Sequence, residues 1–521
     1  MEIVENCAVR LHVPTDYVPA IVRNIEKVEV LKQDELVSEI VVYWGIEEMQ
    51  FLTRLLGSDK IPSSINRDYK WPGLYNPFKH QITTASFLTL HRKAFCFNEA
   101  GTGKTSSVIW ASDYLMNEGA IKRVLVICPL SIMYSAWQAD IFKTAMHRTA
   151  GVAHGPADKR KKIIRGAYDF VIINYDGVHI VQKEIEEAAF DLIVVDEANA
   201  YKTATTKRWK TLSKILKPTT RLWMLTGTPA SQSPTDAFGL AKLVCPENVP
   251  KFFTGWRDKV MRQLTRFKYV PKPTAKRDVY EALQPAIRFS KAECLDLPPV
   301  VYQTREVPLS PQVVRYYKNL KDQMLIEAAG EKISAVHAAA RLNKLLQLSG
   351  GAVYTDNGEV VEFDVSPRLN ALLEVIEETE HKVLVFVPYR HTIELVANFL
   401  ASHGVTTRTI NGDVSAKDRA QIINEFQTTD EPRLLIIQPQ SASHGVTLTA
   451  ADTIVFWSPV MSVETYLQCV ARIDRVGQVN SMTVVHIQGS EVERKMYEML
   501  RGKVSNHEKL VDLYKQELGI E

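Results

Sequence analysis

Asn98-Glu99-Ala100-Gly101-Thr102-Gly103-Lys104-Thr105 follows an apolar run at residues 92–97 and opens a helically periodic stretch at 106–117. Strand, glycine-bearing turn and helix, in that order, form the setting that a phosphate-binding loop needs. Gly101 and Gly103, with Thr102 between them, let backbone N–H groups approach an anion. The helix N-terminus adds positive potential, Lys104 reaches terminal phosphate oxygens, and Thr105 offers a hydroxyl to Mg2+. The strict pattern has glycine where this chain has Asn98, so the reading leans equally on the flanking strand and helix.

Outward from that loop the same alternation repeats. Apolar runs at 92–97, 124–128, 170–173, 192–195 and 222–225 form one series. A second lies at 382–387, 407–410, 434–437, 453–456 and 483–487. Runs apolar throughout suit strands buried on both faces of a parallel sheet, and the segments between them, such as 106–117 and 419–426, have helical periodicity. The fold class expected is therefore α/β, with two doubly wound parallel-sheet lobes at 71–235 and 363–490. Residues 1–70 read as a small N-terminal α+β accessory domain, either DNA-binding or a structural cap. Residues 236–362 read as a helical, partly basic insertion or linker, and 491–521 as a closing helical segment.

Composition bounds the rest. The chain has 521 residues, 45% apolar and 24% charged, as ordinary soluble globular proteins do. No apolar run reaches the length of a bilayer span, and residues 1–10 lack a basic segment followed by an apolar one, so no membrane association and no secretory signal are expected. Cys7, Cys96, Cys128, Cys245, Cys294 and Cys469 are scattered without a CxxC pair, which fits a reducing compartment and no zinc site. The net charge of +3 hides an asymmetry: residues 251–291 hold eleven Lys or Arg against three acids, leaving the remainder negative. Within that block, Phe252 and Trp256 read as core side chains in preference to base-stacking ones.

The second half of a nucleotide site stands at Asp196-Glu197-Ala198-Asn199, at the end of the run 192–195. A carboxylate at a strand's C-terminal edge can hold magnesium, and a second beside it can orient and deprotonate an attacking water. With Thr226-Gly227-Thr228-Pro229 and with Gln468-Cys469-Val470-Ala471-Arg472-Ile473-Asp474-Arg475-Val476-Gly477-Gln478, these motifs occur in the order of superfamily 2 helicase motors. The last of them resembles most the SWI/SNF-like branch, and the resemblance covers about residues 71–500. Pro77-Phe78-Lys79-His80-Gln81, Leu297-Pro298-Pro299, Pro308-Leu309-Ser310 and Leu448-Thr449-Ala450-Ala451-Asp452 lean the same way. The resemblance implies two RecA-like lobes, with ATP and Mg2+ used in the cleft between them and Gln81 reading the adenine edge. It also implies that Thr226 and Thr228 link nucleotide state to a nucleic-acid track. Arg472 and Arg475, read as one face of a helix with Gln468 a turn earlier, suit a developing phosphate charge, because guanidinium is always charged and offers paired donors. Gly445 matches a glycine-rich loop touching nucleotide, whereas Ser443 and His444 depart from the pattern, and Asn199 replaces the usual histidine of the acidic motif.

Tracking along a backbone requires many weak phosphate contacts. Candidates are Ser131, Lys202, Lys207 and Arg208 in the first lobe and Arg390, Gly412 and Gln440 in the second, with the basic block as a further duplex-binding surface. The expected function is a DNA-dependent ATPase of SWI/SNF-like type that moves on duplex or branched DNA, in repair, recombination or replication-fork remodelling. The short chain without a histone-reading module points to bacterial or virus-infected host cytoplasm, with the nucleus as the alternative. The rival readings are a strand-unwinding helicase for D-loops, R-loops or RNA, and a nucleic-acid-binding scaffold with weak ATPase; RNA hybrids stand beside duplex or branched DNA as the partner. A motor subunit of a nuclease complex is a third.

Overall fold

The structure, a computed structural model, describes residues 1–57, 61–227, 229–230, 233–265, 268–294, 297–328, 335–354, 360–442 and 446–502. The chain divides into two compact units. One comprises Met1–Ala230 with Pro234–Cys294, the other Ser231–Ser233 with Leu295–Glu521.

The first unit begins with an antiparallel sheet of β1 (Glu2–Val4), β2 (Ala8–Pro14), β3 (Val28–Gln33) and β4 (Val37–Tyr43), in the order β1-β2-β4-β3. Alternation explains it. Val9, Leu11, Val13, Ile40 and Val42 face a core completed by Met49, Leu52 and Leu90, while Arg10, His12 and Glu39 lie on the other face. Next come β5 (Lys93–Cys96), β6 (Val124–Cys128), β7 (Ala150–Ala153), β8 (Phe170–Asn174), β9 (Leu192–Val195) and β10 (Arg221–Leu225). They are followed by a ribbon of β11 (Met261–Thr265) and β12 (Lys268–Pro271), and by β13 (Ala286–Ile287). The main sheet runs β13-β5-β10-β9-β6-β8-β7 and is parallel throughout. Its central strands are apolar apart from Lys93, Asn174 and Arg221 at strand ends, because both faces are covered. Leu125 and Ile127 enter one core with Phe95, and Val124, Val126 and Cys128 enter the other with Ala94 and Cys96.

The second unit has β14 (Val300–Glu306), a small hairpin of β15 (Ala352–Tyr354) and β16 (Val360–Glu362), then β17 (Lys382–Phe386), β18 (Thr407–Ile410), β19 (Leu434–Ile437), β20 (Ala451–Phe456) and β21 (Met482–Gln488). Its sheet, β14-β21-β20-β17-β19-β18, is also parallel, with Leu384 and Phe386 facing one core and Val383 and Val385 the other.

Residues 236–362 are not one helical insertion. Residues 236–294 complete the first unit: β13 pairs with β5, and Trp256 and Val260, both fully buried, join the same core as Phe95. Residues 300–306 form β14, the edge strand beside β21 in the second unit. The helices Pro311–Ala328 and Ala335–Gly350 follow it. The basic block also contains the β11–β12 ribbon rather than helix alone. Trp256 packs as a core side chain, whereas Phe252 is 66% exposed. Among the described residues no helix is long and apolar enough to cross a membrane, and all six cysteines are free thiols.

Candidate nucleotide site and nucleic-acid edge

The loop 98–103 leaves the C-terminal end of β5 and enters the helix Lys104–Asn117. Gly101 and Gly103 have φ of +89° and +76°, the left-handed region open to glycine. A Cβ on Gly103 would stand 2.1 Å from Nε2 of Gln81. Asn98 is buried and acts as a strut. Its Nδ2 donates to the Thr84 hydroxyl (2.8 Å), its Oδ1 accepts the Phe289 N–H (3.0 Å), and its carbonyl accepts Lys104 Nζ (2.7 Å). The loop is further held by Thr102, whose hydroxyl donates to the Glu99 carbonyl and whose own carbonyl bonds the His80 ring, both at 2.8 Å. Gln81 accepts from the Phe78 N–H (2.9 Å) and donates to the Gly103 carbonyl (3.3 Å). Thr105 is half-buried at the start of the helix.

Asp196 and Glu197 follow β9 on the same sheet edge. The Asp196 carboxylate is buried, with Oδ2 accepting the Trp137 indole N–H and Oδ1 the Glu197 N–H, both at 2.9 Å. Burial holds its pKa above the ordinary carboxylate range, opposed by the Lys104 ammonium and by those two hydrogen bonds. Tyr175 clamps the backbone below it, its hydroxyl donating to the carbonyls of Asp196 (2.5 Å) and Glu197 (3.2 Å). Glu197 has φ +48°, a conformation costing a non-glycine residue about 1–3 kcal/mol and typical of functional sites. Trp137 lies in a π-helical turn, Met133–Gln138, a form often found at such sites. Trp137 and Tyr175 stand out in the structure alone, because their partners are 59 and 21 residues away.

An ionised carboxylate has about four acceptor positions, so Asp196 keeps two beyond its protein donors. Among the described residues no cluster of three or more metal-ligating side chains occurs. One carboxylate and one hydroxyl fit a hard ion such as Mg2+, which takes few protein ligands and completes its shell with water and phosphate oxygens.

In the second unit the arginines depart from the helix expected of them. The helix Val463–Val470 ends before Arg472, and residues 471–477 form turns. The cause is tertiary: the Arg472 carbonyl accepts the Leu448 N–H at 3.0 Å, which draws the chain away. The guanidinium groups still converge, Arg472 donating to the Val446 carbonyl at 2.9 Å and Arg475 to the same oxygen at 3.0 Å. Gln468 is buried, and its carbonyl accepts Arg472 Nε. Gln478 donates to the Ala451 carbonyl (2.8 Å) and so ties the motif to β20.

The candidate nucleic-acid contacts lie after the C-terminal ends of strands, where open parallel sheets bind ligands. Ser131 follows β6, and Thr226, fully buried, follows β10. Lys202 pairs with Asp236 (3.1 Å), Arg208 with Asp176 (3.1 Å), and Lys207 is exposed at a helix start. Gly239 lets the helix Ala237–Val244 approach this region, since a Cβ there would stand 2.1 Å from the Lys202 carbonyl oxygen. In the second unit Arg390, paired with Asp413, follows β17, Gly412 follows β18 and Gln440 follows β19, all three exposed. Thr228 and Gly445 lie outside the described residues.

A phosphate loop and acidic pair on one parallel sheet, and paired arginines on a second, define the class: a helicase-type core of superfamily 2. The chain belongs to the SNF2-related family. The SNF2-related domain matches residues 80–350 and the helicase conserved C-terminal domain residues 367–477. A SWI/SNF-related matrix-associated actin-dependent regulator of chromatin subfamily A-like protein 1 from Xenopus tropicalis is 22% identical over 75% of this chain and 40% of its own length. A phage protein, p41 of Acyrthosiphon pisum secondary endosymbiont phage 1, is 25% identical over 78% of this chain and 89% of its own length. The Sulfolobus solfataricus SWI2/SNF2 ATPase core, solved in complex with dsDNA, is 23% identical and covers 83% of this chain and 92% of that one, with a TM-score of 0.41. The chain spans less than half the length of the first curated relatives it matches.

Proposed function

We propose that this protein is a DNA-dependent ATPase that translocates on duplex or branched DNA and serves repair, recombination or fork remodelling. The observation that carries the reading is the meeting of the phosphate loop with the Asp196–Glu197 pair in a member of the SNF2-related family. Lys104 exchanges the Asn98 carbonyl for phosphate oxygens, and the loop N–H groups cradle the same anion. Thr105 and Asp196 hold Mg2+, which when bound offsets phosphate charge. Glu197 orients a water and accepts its proton, and Arg472 and Arg475, with Gln468 beside them, meet the charge that develops on the phosphate. Gln81 contacts the adenine edge, and Gly445 the nucleotide. Thr226 and Thr228 couple that site to a DNA backbone gripped by Ser131, Lys202, Lys207, Arg208, Arg390, Gly412 and Gln440.

The test is ATP turnover with no nucleic acid, with duplex, forked, four-way and single-stranded DNA, and with RNA hybrids. Duplex or branched DNA should raise the rate at least several-fold, and equal rates with and without nucleic acid would sink the motor reading. Lys104→Ala should remove turnover by on the order of a hundredfold or more, since it deletes a charge aimed at the transferred phosphate. A parallel strand-displacement assay separates translocation from unwinding.

A further inference from the structure

The pairing of β13 with β5 continues past the ends of both strands. The N–H groups of Phe95, Phe97 and Glu99 donate to the carbonyls of Pro285, Ile287 and Phe289 at 3.0, 2.8 and 2.9 Å. Alternate residues bonding in this way are the rungs of a parallel ladder. The ladder thus carries a segment from far downstream in the sequence onto the first two residues of the phosphate loop. There side chains take over. Asn98 Oδ1 accepts the Phe289 N–H at 3.0 Å, and Glu99 Oε2 accepts the Lys291 N–H at 3.1 Å. The Phe289 ring lies 5.9 Å from the His80 ring, whose nitrogen bonds the Thr102 carbonyl at 2.8 Å. Residues 285–291 therefore reach the loop by two routes, through hydrogen bonds at Asn98 and Glu99 and through His80 at Thr102.

Glu99 is the informative member. A carboxylate inside a phosphate loop works against the anion the loop would hold, so a charge at this position calls for another role. Its atoms show one. Oε2 is engaged by the Lys291 N–H, the Glu99 N–H by the Phe289 carbonyl, and the Glu99 carbonyl by the Thr102 hydroxyl at 2.8 Å. One half-buried residue thereby ties the downstream segment to the turn in which Gly101 and Gly103 adopt positive φ. Backbone donors hold an anion well only when they are already set in place, because ordering them on binding costs affinity.

We propose that residues 285–291 form a strap that sets the phosphate loop for nucleotide, with Glu99 as the positioning residue that locks it through the Lys291 N–H. The inference rests on the reading of residues 98–105 as a phosphate loop. It adds residues outside that loop on which nucleotide affinity depends.

The test uses the full chain and a fluorescent ATP analogue with Mg2+, titrated without DNA. Glu99→Ala removes the acceptor, whereas Glu99→Gln keeps an oxygen for the same N–H and removes the charge. Lys291→Pro removes the donor at the first residue of a helical turn, where proline is tolerated, and Lys291→Ala keeps it. Glu99→Ala and Lys291→Pro should each weaken binding by about five- to tenfold, the scale of one partly exposed hydrogen bond to a charged group. Glu99→Gln and Lys291→Ala should stay within about threefold of the parent, since the bond survives in both. Glu99→Ala combined with Lys291→Pro should be no weaker than the weaker single variant, because both delete the same contact. Equal weakening by Glu99→Ala and Glu99→Gln would overturn the proposal, as would full additivity of the pair. Tighter binding by both substitutions of Glu99 would also overturn it, by showing that the carboxylate acts through charge alone. Thermal melting checks each fold, and should Lys291→Pro melt early, the two substitutions of Glu99 decide. Failure of the phosphate-loop reading shows separately, as an unsubstituted chain that does not bind the analogue or a Lys104→Ala variant that binds it equally well.

Discussion

Trp137 fixes the orientation of the Asp196 carboxylate, the group proposed to hold Mg2+. Its indole N–H is the donor that Asp196 Oδ2 has from a side chain, and both groups are buried. Partners that orient a metal-binding carboxylate typically change metal affinity 10–100-fold when removed. Trp137→Phe keeps an aromatic ring in this core and deletes the donor, together with part of the buried indole volume. The Mg2+ concentration for half-maximal ATP turnover should therefore rise by about tenfold or more, with a modest change in melting temperature. An unchanged Mg2+ requirement would remove Trp137 from this role. This scale also separates what the sequence makes legible from what it does not. Lys104 and Thr105 are contiguous with their glycines, and Asp196 ends an apolar run, so local pattern reveals them. The roles of Asn98, Trp137 and Tyr175 depend on partners 191, 59 and 21 residues distant, and no local pattern encodes such a pairing.

At the scale of elements, the central strands were readable because burial on both faces forces an unbroken apolar run. The edges were not. β7 is Ala-Gly-Val-Ala, β13 has two residues, and β14 bears Gln303, Thr304, Arg305 and Glu306 because its outer side needs no apolar cover. A hidden tie between helices is the Arg368–Glu493 pair, which joins Ser366–Glu377 to Glu491–Arg501. Arg368 is 2% exposed, grips both Glu493 oxygens at 2.8 Å, and donates to the carbonyls of Trp457 and Ile487. Removing one member of a buried pair leaves an uncompensated charge and costs about 3–5 kcal/mol, whereas replacing both with apolar groups is often near neutral. Arg368→Met should lower the stability of the second unit by that amount in urea unfolding. Adding Glu493→Leu should restore much of it. A single variant within about 0.5 kcal/mol of the parent would show that the pair contributes little.

At the scale of the molecule, the boundary of the first unit falls near residue 294 rather than near 235. A fragment of residues 1–294 retains β13 beside β5 and the buried Trp256. One of residues 1–235 leaves β5 as an exposed edge and deletes part of the core. The longer fragment should melt cooperatively and bind a fluorescent ATP analogue, while the shorter should aggregate or melt without a clear transition. Equal behaviour of the two would show that residues 236–294 are dispensable to this unit. The placement was not legible because the anchoring strand has two residues and the intervening ribbon and basic helices read as a separate polar insertion.

The Asn98–Phe289 contact has a consequence in time. The ribosome delivers the phosphate loop first and the Phe289 N–H that braces Asn98 only 191 residues later, a delay on the order of 10–40 s at elongation rates of about 5–20 residues per second. Through that interval the nascent loop lacks its brace, so the braced loop arrives with the emergence of residues 286–291 and not with the loop itself. A pause, or a rare-codon cluster, between these points would prolong that window without altering a single side chain of the finished protein.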